Sequence, residues 1–321
     1  MNIKYWLFTT LNLCFLLNLP AQKLFDKNFF ERPDTLNKKR MNTLVVGSSV
    51  VYVGAIFMLN NLWYKDFKRS PFHFFDDRGE WRNADKAGHI MTAYTESGWA
   101  YQALRWTGMS EKAAAWHGMG AGTLYQATIE ILDGTSEKWG FSIGDFAANT
   151  SGCLLFGAQQ ATWGEQRIVL KVGNFPNNYD KTPFKLEDGT SISVSEMAKK
   201  LYGNNYTHTF FKDYNAINWW VSINPYSFAK GKKFPKWLNI AVGYSAENVF
   251  GAHSNLAPAA NENQYPRYSQ YMLSLDIDLT KLNPKSKFLK SVCKTFNFIK
   301  IPAPALEYNS LGKFKFHPII F

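Results

Sequence analysis

Residues 83–104 read NADKAGHIMTAYTESGWAYQAL, and this stretch decides the fold of the N-terminal half of the chain. Asp85 and His89 are four residues apart, and Thr92 and Glu96 continue the same spacing. On a helix these positions share one face, because side chains three or four residues apart are neighbours. Most of the other positions are apolar or small. We therefore predict a largely apolar helix that carries a single polar stripe.

Two further apolar segments of helical length follow at about 111–133 and 143–163. The connections between them, TGMS and GTSEKWGFS, are short and rich in turn residues, which predicts antiparallel neighbours. The glycines of HGMGAG, at 118, 120 and 122, would let two helix backbones approach closely. These three segments therefore indicate an antiparallel helical bundle.

The segment 42–64 contains no charged residue and is 23 residues long. A helix needs about 20 apolar residues to cross a bilayer, so a membrane helix is one interpretation. A buried helix of a water-soluble bundle is the other. We favour the buried helix, because the mean hydropathy of the chain is −0.27 and glycine, serine and asparagine interrupt the segment.

The N-terminus has the layout of a secretory signal peptide, with Lys4, an apolar stretch and then Pro20-Ala21-Gln22. We predict a signal peptide over 1–22 and a polar linker over 23–40; an uncleaved membrane helix is the alternative. Cys14 follows Leu13 and lacks the small residue that precedes a lipoprotein cysteine.

Two free thiols, at Cys153 and Cys293, are favoured over a disulfide between them.

After Trp163 the sequence changes to alternating polar and apolar residues, which is typical of strands. In LSLDIDL, Leu273 and Leu275 lie on one face of a strand, and Ser274 and Asp276 lie on the other. About six segments are candidate strands, and they include EQRIVLKVG, INWWVSINPYSF, WLNIAVGYSAENVFG, YMLSLDIDL and KFKFHPIIF. The smallest outer-membrane barrels have about eight strands, although a final strand ending on an aromatic residue is typical of them.

The fold class is therefore α+β, with an N-terminal antiparallel helical bundle followed by an antiparallel β-sheet or partial β-barrel. The predicted domains are a helical domain over 41–163 with a polar centre and a β-rich basic domain over 164–321. Residues 166–321 carry 20 Lys and Arg against 10 Asp and Glu, whereas residues 1–165 carry 16 against 15. Without a nucleic-acid-binding motif, this excess favours an outer-membrane lipid or lipopolysaccharide surface as the partner, or a merely solvated basic face.

Polar residues recur at helical spacing on all three predicted bundle helices. Separate burial of each would cost several kcal/mol, so we expect them to meet. The candidate catalytic residues are Asp85, His89, Glu130, Asp133 and Asp145, with supporting roles for Lys86, Glu96, Gln126 and Asn149.

This group is compatible with several kinds of chemistry. It could hold a divalent metal through His89, Glu130 and Asp133, act in acid–base catalysis with Asp85 orienting His89, or relay protons. The alternative, which we favour, is a buried hydrogen-bonded network that holds the helices in register while Lys86 or Arg105 neutralises part of the charge. His73 and His117 are interpreted as structural histidines.

The motifs DKAGH (85–89), IEILDG (129–134) and WGFSIGDFAANTSG (139–152) resemble an uncharacterised bacterial family described as predicted periplasmic lipoproteins, a domain of unknown function. The likeness to its long form, seen in Bacteroidetes-type bacteria, extends over about 41–321 through FHFFDDRGEW, KDYNAINWWVSINPYSF, PKWLNIAVGY and PAPALEY. A weaker likeness links the same helical motifs to VanZ-like membrane proteins. The resemblance implies an envelope location but no reaction.

We therefore expect an exported protein at the outer membrane or a periplasm-facing membrane surface. The first functional hypothesis is a structural or organising envelope protein whose protein partner is unknown. The second is a lipid- or glycan-directed hydrolase or transferase that uses the His/carboxylate group. The third is a pathway for small solutes or ions through the helices.

Overall fold

Three long helices between residues 84 and 163 pack against one another, as the periodicity of the sequence predicts, and a fourth long helix precedes them. The computed structural model describes residues 29–175, 177–186, 189–229, 234–255 and 265–321. The predicted signal peptide over 1–22 lies outside these residues. The α+β class is confirmed, because helices 38–163 precede an antiparallel sheet.

The elements described are named here in chain order. The helices are α1 (Lys38–Leu59), α2 (Ala84–Trp106), α3 (Glu111–Gly134), α4 (Ile143–Trp163), α5 (Val194–Tyr202), α6 (Tyr206–Lys212), α7 (Pro225–Phe228) and α8 (Lys287–Thr295). The strands are β1 (Ile168–Asn174), β2 (Phe184–Lys185), β3 (Ser191–Ile192), β4 (Ile217–Ile223), β5 (Leu238–Glu247), β6 (Tyr268–Ile277), β7 (Ala303–Asn309) and β8 (Phe314–Ile320).

Helices α2, α3 and α4 pack closely because glycines lie at their contacts. Gly118 and Gly122 of α3 face the backbone of α2, as does Gly152 of α4. A Cβ atom on Gly118 would lie 2.9 Å from the Ser97 carbonyl oxygen, whereas one on Gly120 would meet nothing within 4 Å. The predicted close approach is confirmed for two glycines of HGMGAG and is absent at Gly120.

Helix α1 differs from the prediction of a buried helix. None of its 22 residues is buried, although Leu62 and Tyr64 of the following π-helical turn are. Within the described residues, the stretch Lys38–Tyr64 is long and apolar enough to cross a membrane, judged by length and composition. The helix also begins earlier than expected, because the Asn37 side chain accepts from the Arg40 amide and caps it.

The main sheet has six antiparallel strands in the order β1-β4-β5-β6-β7-β8, and β2 and β3 form a separate ribbon. The first and last strands of this order, β1 and β8, approach each other at one end. The Phe321 ring stacks on Phe175 at 5.7 Å, and its carbonyl oxygen accepts from Trp220 Nε1 at 3.1 Å and Asn218 Nδ2 at 3.2 Å. The chain end after β8 therefore contacts β4 and the end of β1.

The sheet packs on the bundle through α2. The apolar core there joins Tyr94 and Tyr101 of α2 and Phe156 of α4 to Leu170 of β1. Trp219 of β4 lies against Gly88, where an added Cβ atom would be 3.3 Å from the indole ring. This contact brings the first turn of α2 next to the sheet, so the polar stripe begins at the junction of the two halves.

Candidate functional site

Lys86 is the central cation of the polar centre. Its Nζ atom lies 2.5 Å from Asp77 Oδ2, 2.6 Å from Asp145 Oδ1 and 3.5 Å from Asp85 Oδ2. Burial disfavours the charged lysine, but hydrogen bonds to Asp145 and Asp77 outweigh it and raise the pKa of Lys86. The sequence left Lys86 and Arg105 as alternative neutralising groups. Arg105 instead lies at the other end of α2, beside Glu111.

The two carboxyl groups nearest Lys86 shift in opposite directions. Burial raises the pKa of Asp145 to about 8. Burial also acts to raise the pKa of Asp77, but hydrogen bonds with Asp145, Lys86 and Ser142 outweigh it and lower that pKa. The two carboxyl groups thus share one environment, in which hydrogen bonds favour the ionised form of Asp77 and burial favours the neutral form of Asp145.

A strained backbone segment delivers Asp85 and Lys86 to this position. Trp81, Arg82 and Asn83 have φ values of 48°, 55° and 65°, which is the left-handed region. Such residues cost about 1 to 3 kcal/mol each and persist only where the surroundings hold them. Here the Trp81 amide donates to the Ala252 carbonyl at 2.8 Å, and the Tyr244 hydroxyl donates to the Arg82 carbonyl.

His89, one turn along α2, contacts residues of all three helices. Its Nδ1 atom lies 3.0 Å from Asn149 Oδ1, and its Nε2 atom lies 3.5 Å from Asp145 Oδ1 and 3.8 Å from Asp85 Oδ1. Because an amide oxygen only accepts, Nδ1 carries the proton and Nε2 faces the two acids. Burial alone would lower the pKa of His89, but Asp85, Asp145 and Glu130 outweigh it and raise the pKa.

Glu130 of α3 lies at the buried end of the site. It is 1% exposed, accepts from Asn149 Nδ2 at 3.0 Å through Oε1, and lies 3.7 Å from His89 Nδ1. Burial raises its pKa. Its Oε2 atom has no hydrogen-bond partner within the described part of the chain. Glu130 therefore keeps one carboxyl oxygen without a partner among these residues, close to the imidazole.

The remaining predicted residues form two separate pairs. Gln126 Nε2 donates to Glu96 Oε2 at 2.8 Å, and burial raises the pKa of Glu96 to about 8. The Tyr64 hydroxyl donates to Asp133 Oδ1 at 2.7 Å, and burial raises the pKa of Asp133 to about 7. Asp133 is thus bound to Tyr64 and not to His89.

This arrangement changes the expected metal ligands. The donor atoms that lie within 4.8 Å of one another belong to Asp85, His89 and Asp145, not to the predicted set of His89, Glu130 and Asp133. The Lys86 ammonium already lies 2.6 Å from Asp145 Oδ1. A divalent cation therefore fits this group only if Lys86 moves away from Asp145.

Three residues of the centre were not identified from the sequence. Asp77 lies in the segment that connects α1 to α2, yet it is 6% exposed and accepts from Ser142 Oγ at 2.8 Å. Ser142 also caps α4 by accepting from the Asp145 amide, a capping pattern that the Ser-x-x-Asp spacing could have indicated. Tyr214 donates to Asp85 Oδ1 at 2.7 Å and stacks on Trp81, a long-range contact that no local pattern predicts.

The secondary histidines lie outside the centre and have local partners. His117 Nδ1 lies 2.7 Å from the Ala113 carbonyl one turn back, and His73 contacts Ser70 and the Pro71 carbonyl. Both are consistent with structural roles. Cys153 and Cys293 are free thiols, as favoured from the sequence.

The centre can hold and move protons, and it is reachable. The side chains of Lys86, His89 and Asp85 are each about a fifth exposed, at 18%, 19% and 21%. His89 Nε2 therefore lies between two acids at the exposed side, while Asn149 accepts from Nδ1 at the buried side. A histidine held in this way can act as a general acid or base.

Comparison of the chain with protein-family models, with curated proteins and with solved structures finds no match. The catalytic and metal-binding roles of the site residues therefore stay predictions.

Proposed function

We propose that this protein is an exported envelope protein that contacts a lipid bilayer through α1 and the outer face of its sheet. The outer face is defined by the alternate strand residues that include Val242 of β5, Leu273 of β6 and Leu306 of β7. The inner face is the opposite set, which includes Asn239 of β5 and Asp276 of β6. The observation that carries the proposal is the inverted polarity of these faces.

Strand β6 illustrates the inversion. Leu273 and Leu275 are each 52% exposed, whereas Ser274 is 6% and Asp276 is 1% exposed. The sequence correctly predicted which residues share a face. In water the apolar face of a strand is normally buried and the polar face exposed. This strand has the reverse arrangement, which is the pattern of strands whose outer side meets lipid.

The same polarity extends across neighbouring strands. The outer face exposes these large apolar side chains: Val221, Ile240, Val242, Tyr271, Leu273, Leu275, Leu306, Tyr308, Phe314 and Phe316. Burying one such side chain contributes about 1.5 to 3 kcal/mol. A continuous exposed apolar surface of this kind is typical of a contact with a membrane or a protein.

The charges around the sheet favour a membrane over a protein as the occupant. Helix α8 follows β6 and carries Lys287, Lys290 and Lys294 beside the exposed Phe288 and Leu289. A basic amphipathic helix of this type lies at the boundary between acyl chains and anionic head groups. The lysines of α8 thus complement the anionic head groups of a bilayer.

A fluorescence experiment tests this contact. An environment-sensitive label on Leu273→Cys is compared with the same label on Lys313→Cys in the β7–β8 turn, both in a background without the native cysteines. With phosphatidylcholine vesicles we expect a blue shift and quenching by lipid-borne quenchers at position 273, and neither at 313. Equal, water-like emission at both positions would contradict the proposal.

A second candidate function is a lipid- or glycan-directed hydrolase or transferase. The observation that favours it is the placement of His89 Nε2 between Asp85 and Asp145 at a partly exposed mouth. In this reaction His89 acts as the base, and Asn149 holds its tautomer from the other side. Turnover of lipid and glycan substrates by wild type, lost in a folded His89→Ala variant, would support the enzyme; equal turnover in both would contradict it.

A further inference from the structure

A cavity of about 260 Å³ lies outside the polar centre, between α2, α4, the start of β1 and α8. Its aromatic lining includes Trp99 and Tyr101 of α2, Phe156 of α4 and Phe298 after α8. Trp99 Nε1 donates to the Thr295 carbonyl at 3.0 Å, which fixes the end of α8 at the cavity wall. The volume is slightly below the lower end, about 300 Å³, of ordinary ligand pockets.

The ionisable groups that line this cavity are unevenly paired. Glu165 pairs with Lys281 and Arg167, and Glu111 pairs with Arg105, 3.3 Å away. The other two cations of the lining are Arg32 and Lys294.

Neither Arg32 nor Lys294 belongs to an ion pair within the described residues. Arg32 Nη2 donates only a long hydrogen bond, 3.4 Å, to Gln102 Oε1. Two positive charges thus border one cavity, and no carboxylate in the described part of the chain pairs with either of them.

The surroundings of Lys294 are electrostatically unfavourable for its charge. Lys294 is exposed on one side; its partial burial lowers its pKa, and the positive charges of Arg32, Lys290 and Arg105 lower it further. A bound anion would relieve this repulsion, because an opposite charge favours the charged form of a lysine. Phosphate and carboxylate groups are the anions that arginine and lysine bind best.

The position of the cavity indicates which anion it receives. Helix α8 forms one wall, and the same helix exposes Phe288 and Leu289 at the proposed membrane boundary. We propose that the cavity binds the head group of an anionic amphiphile, with its phosphate or carboxylate beside Arg32 and Lys294 and the first part of its alkyl chain against Trp99 and Phe298. This inference rests on the proposed membrane contact for its lipid source.

Calorimetric titration with hexyl phosphate tests the site in the full-length protein, held in phosphatidylcholine nanodiscs. We expect one binding site, with at least about tenfold weaker binding in Arg32→Gln and in Lys294→Gln. Lys285→Gln removes the same charge just before α8 but does not line the cavity, so it is the matched control and should bind as wild type does. Two independent variants on different segments guard against a folding defect in one of them.

Three results would overturn the inference. Equal weakening by Lys285→Gln would mean attraction by the general basic surface. Equal affinity for inorganic phosphate would mean that the alkyl chain makes no contact and that free phosphate is the ligand. Unchanged binding in both cavity variants would place the amphiphile elsewhere. The contact of Leu273 with neutral phosphatidylcholine does not depend on Arg32 or Lys294, so the two proposals fail separately.

Discussion

Lys171 Nζ lies 2.7 Å from Asp276 Oδ2, and neither side chain is exposed to solvent at all. The pair joins β1 to β6 across the inner face of the sheet, where Ser222 Oγ also donates to Asp276 Oδ2 at 2.6 Å. Lys300 Nζ is 4.0 Å from the other carboxylate oxygen. An ion pair thus lies where a water-soluble sheet would have an apolar core, on the face opposite Leu273 and Leu275.

Loss of the Asp276 charge should therefore destabilise the sheet strongly. In Asp276→Asn, Lys171 and Lys300 stay buried without a carboxylate, and we expect the free energy of unfolding to fall by about 3 to 5 kcal/mol. Asp76→Asn, at the exposed pair with Arg78, is the control and should change it little. Denaturant unfolding measures both. Equal stability of the two variants would show that the inner-face pair is dispensable.

The glycines of α3 should differ in their tolerance of alanine. Gly118→Ala puts a Cβ atom against the α2 backbone at Ser97 and Tyr101, and overpacking of this kind costs about 1 to 3 kcal/mol. Gly120→Ala meets open space and should stabilise the helix by up to about 1 kcal/mol. Thermal unfolding of the two variants measures the contrast. A loss of stability in Gly120→Ala as large as in Gly118→Ala would contradict the packing described.

Stability should fall as the pH rises from about 5 to above 8. Burial raises the pKa values of Glu96 and Asp145 to about 8, so the folded protein holds protons that the unfolded chain has released. Under proton linkage, stability then decreases with pH between the unfolded and folded pKa values. The raised pKa of His89 acts in the same direction, since its contribution is present below about 6.5 and is lost as pH passes the folded value.

Glu96→Gln isolates one part of this pH dependence. The amide can keep the contact with Gln126 but cannot ionise, so the fall in melting temperature between pH 5.5 and 8.5 should be smaller by several degrees. Calorimetric scans at both pH values test this. An unchanged slope in Glu96→Gln would mean that Glu96 is ionised throughout this range.

Removing the central cation should create a metal-binding site. In Lys86→Met, the carboxyl groups of Asp77, Asp85 and Asp145 face one another without the ammonium group, and those that are ionised repel one another. We expect a lower melting temperature that Mg²⁺ or Ca²⁺ partly restores, because these ions bind carboxylate oxygens. Arg105→Met, at the far end of α2, should show no such restoration.

Metal bound to the wild-type protein would contradict this prediction, and metal analysis tests for it. Stoichiometric metal in the wild-type protein, lost from a folded His89→Ala variant, would mean that Lys86 does not occupy the cation position in solution. Metal content by mass spectrometry together with circular dichroism melting distinguishes the two cases.

Much of the polar centre could be predicted from helical periodicity. The spacing of Asp85 and His89, and of Asp145 and Asn149, places each pair on one helix face, and the short connections bring those faces together. Asp77 and Tyr214 could not be predicted in this way. They reach the centre from a connecting segment and from the residues before β4, and only long-range packing determines their positions.

The sequence by itself determined the three bundle helices, their antiparallel order and the faces that strand residues share, because these depend on local spacing and turn chemistry. It did not predict α8, and it assigned Pro225–Phe228, which form α7, to a strand. Tertiary structure alone decided which face points inwards. The period of two in LSLDIDL is the same for either orientation, but the pairing of Lys171 with Asp276 requires the polar side to be buried. The tertiary structure also decided that Lys86, and not Arg105, neutralises the acids, since only Lys86 lies within reach of Asp77 and Asp145.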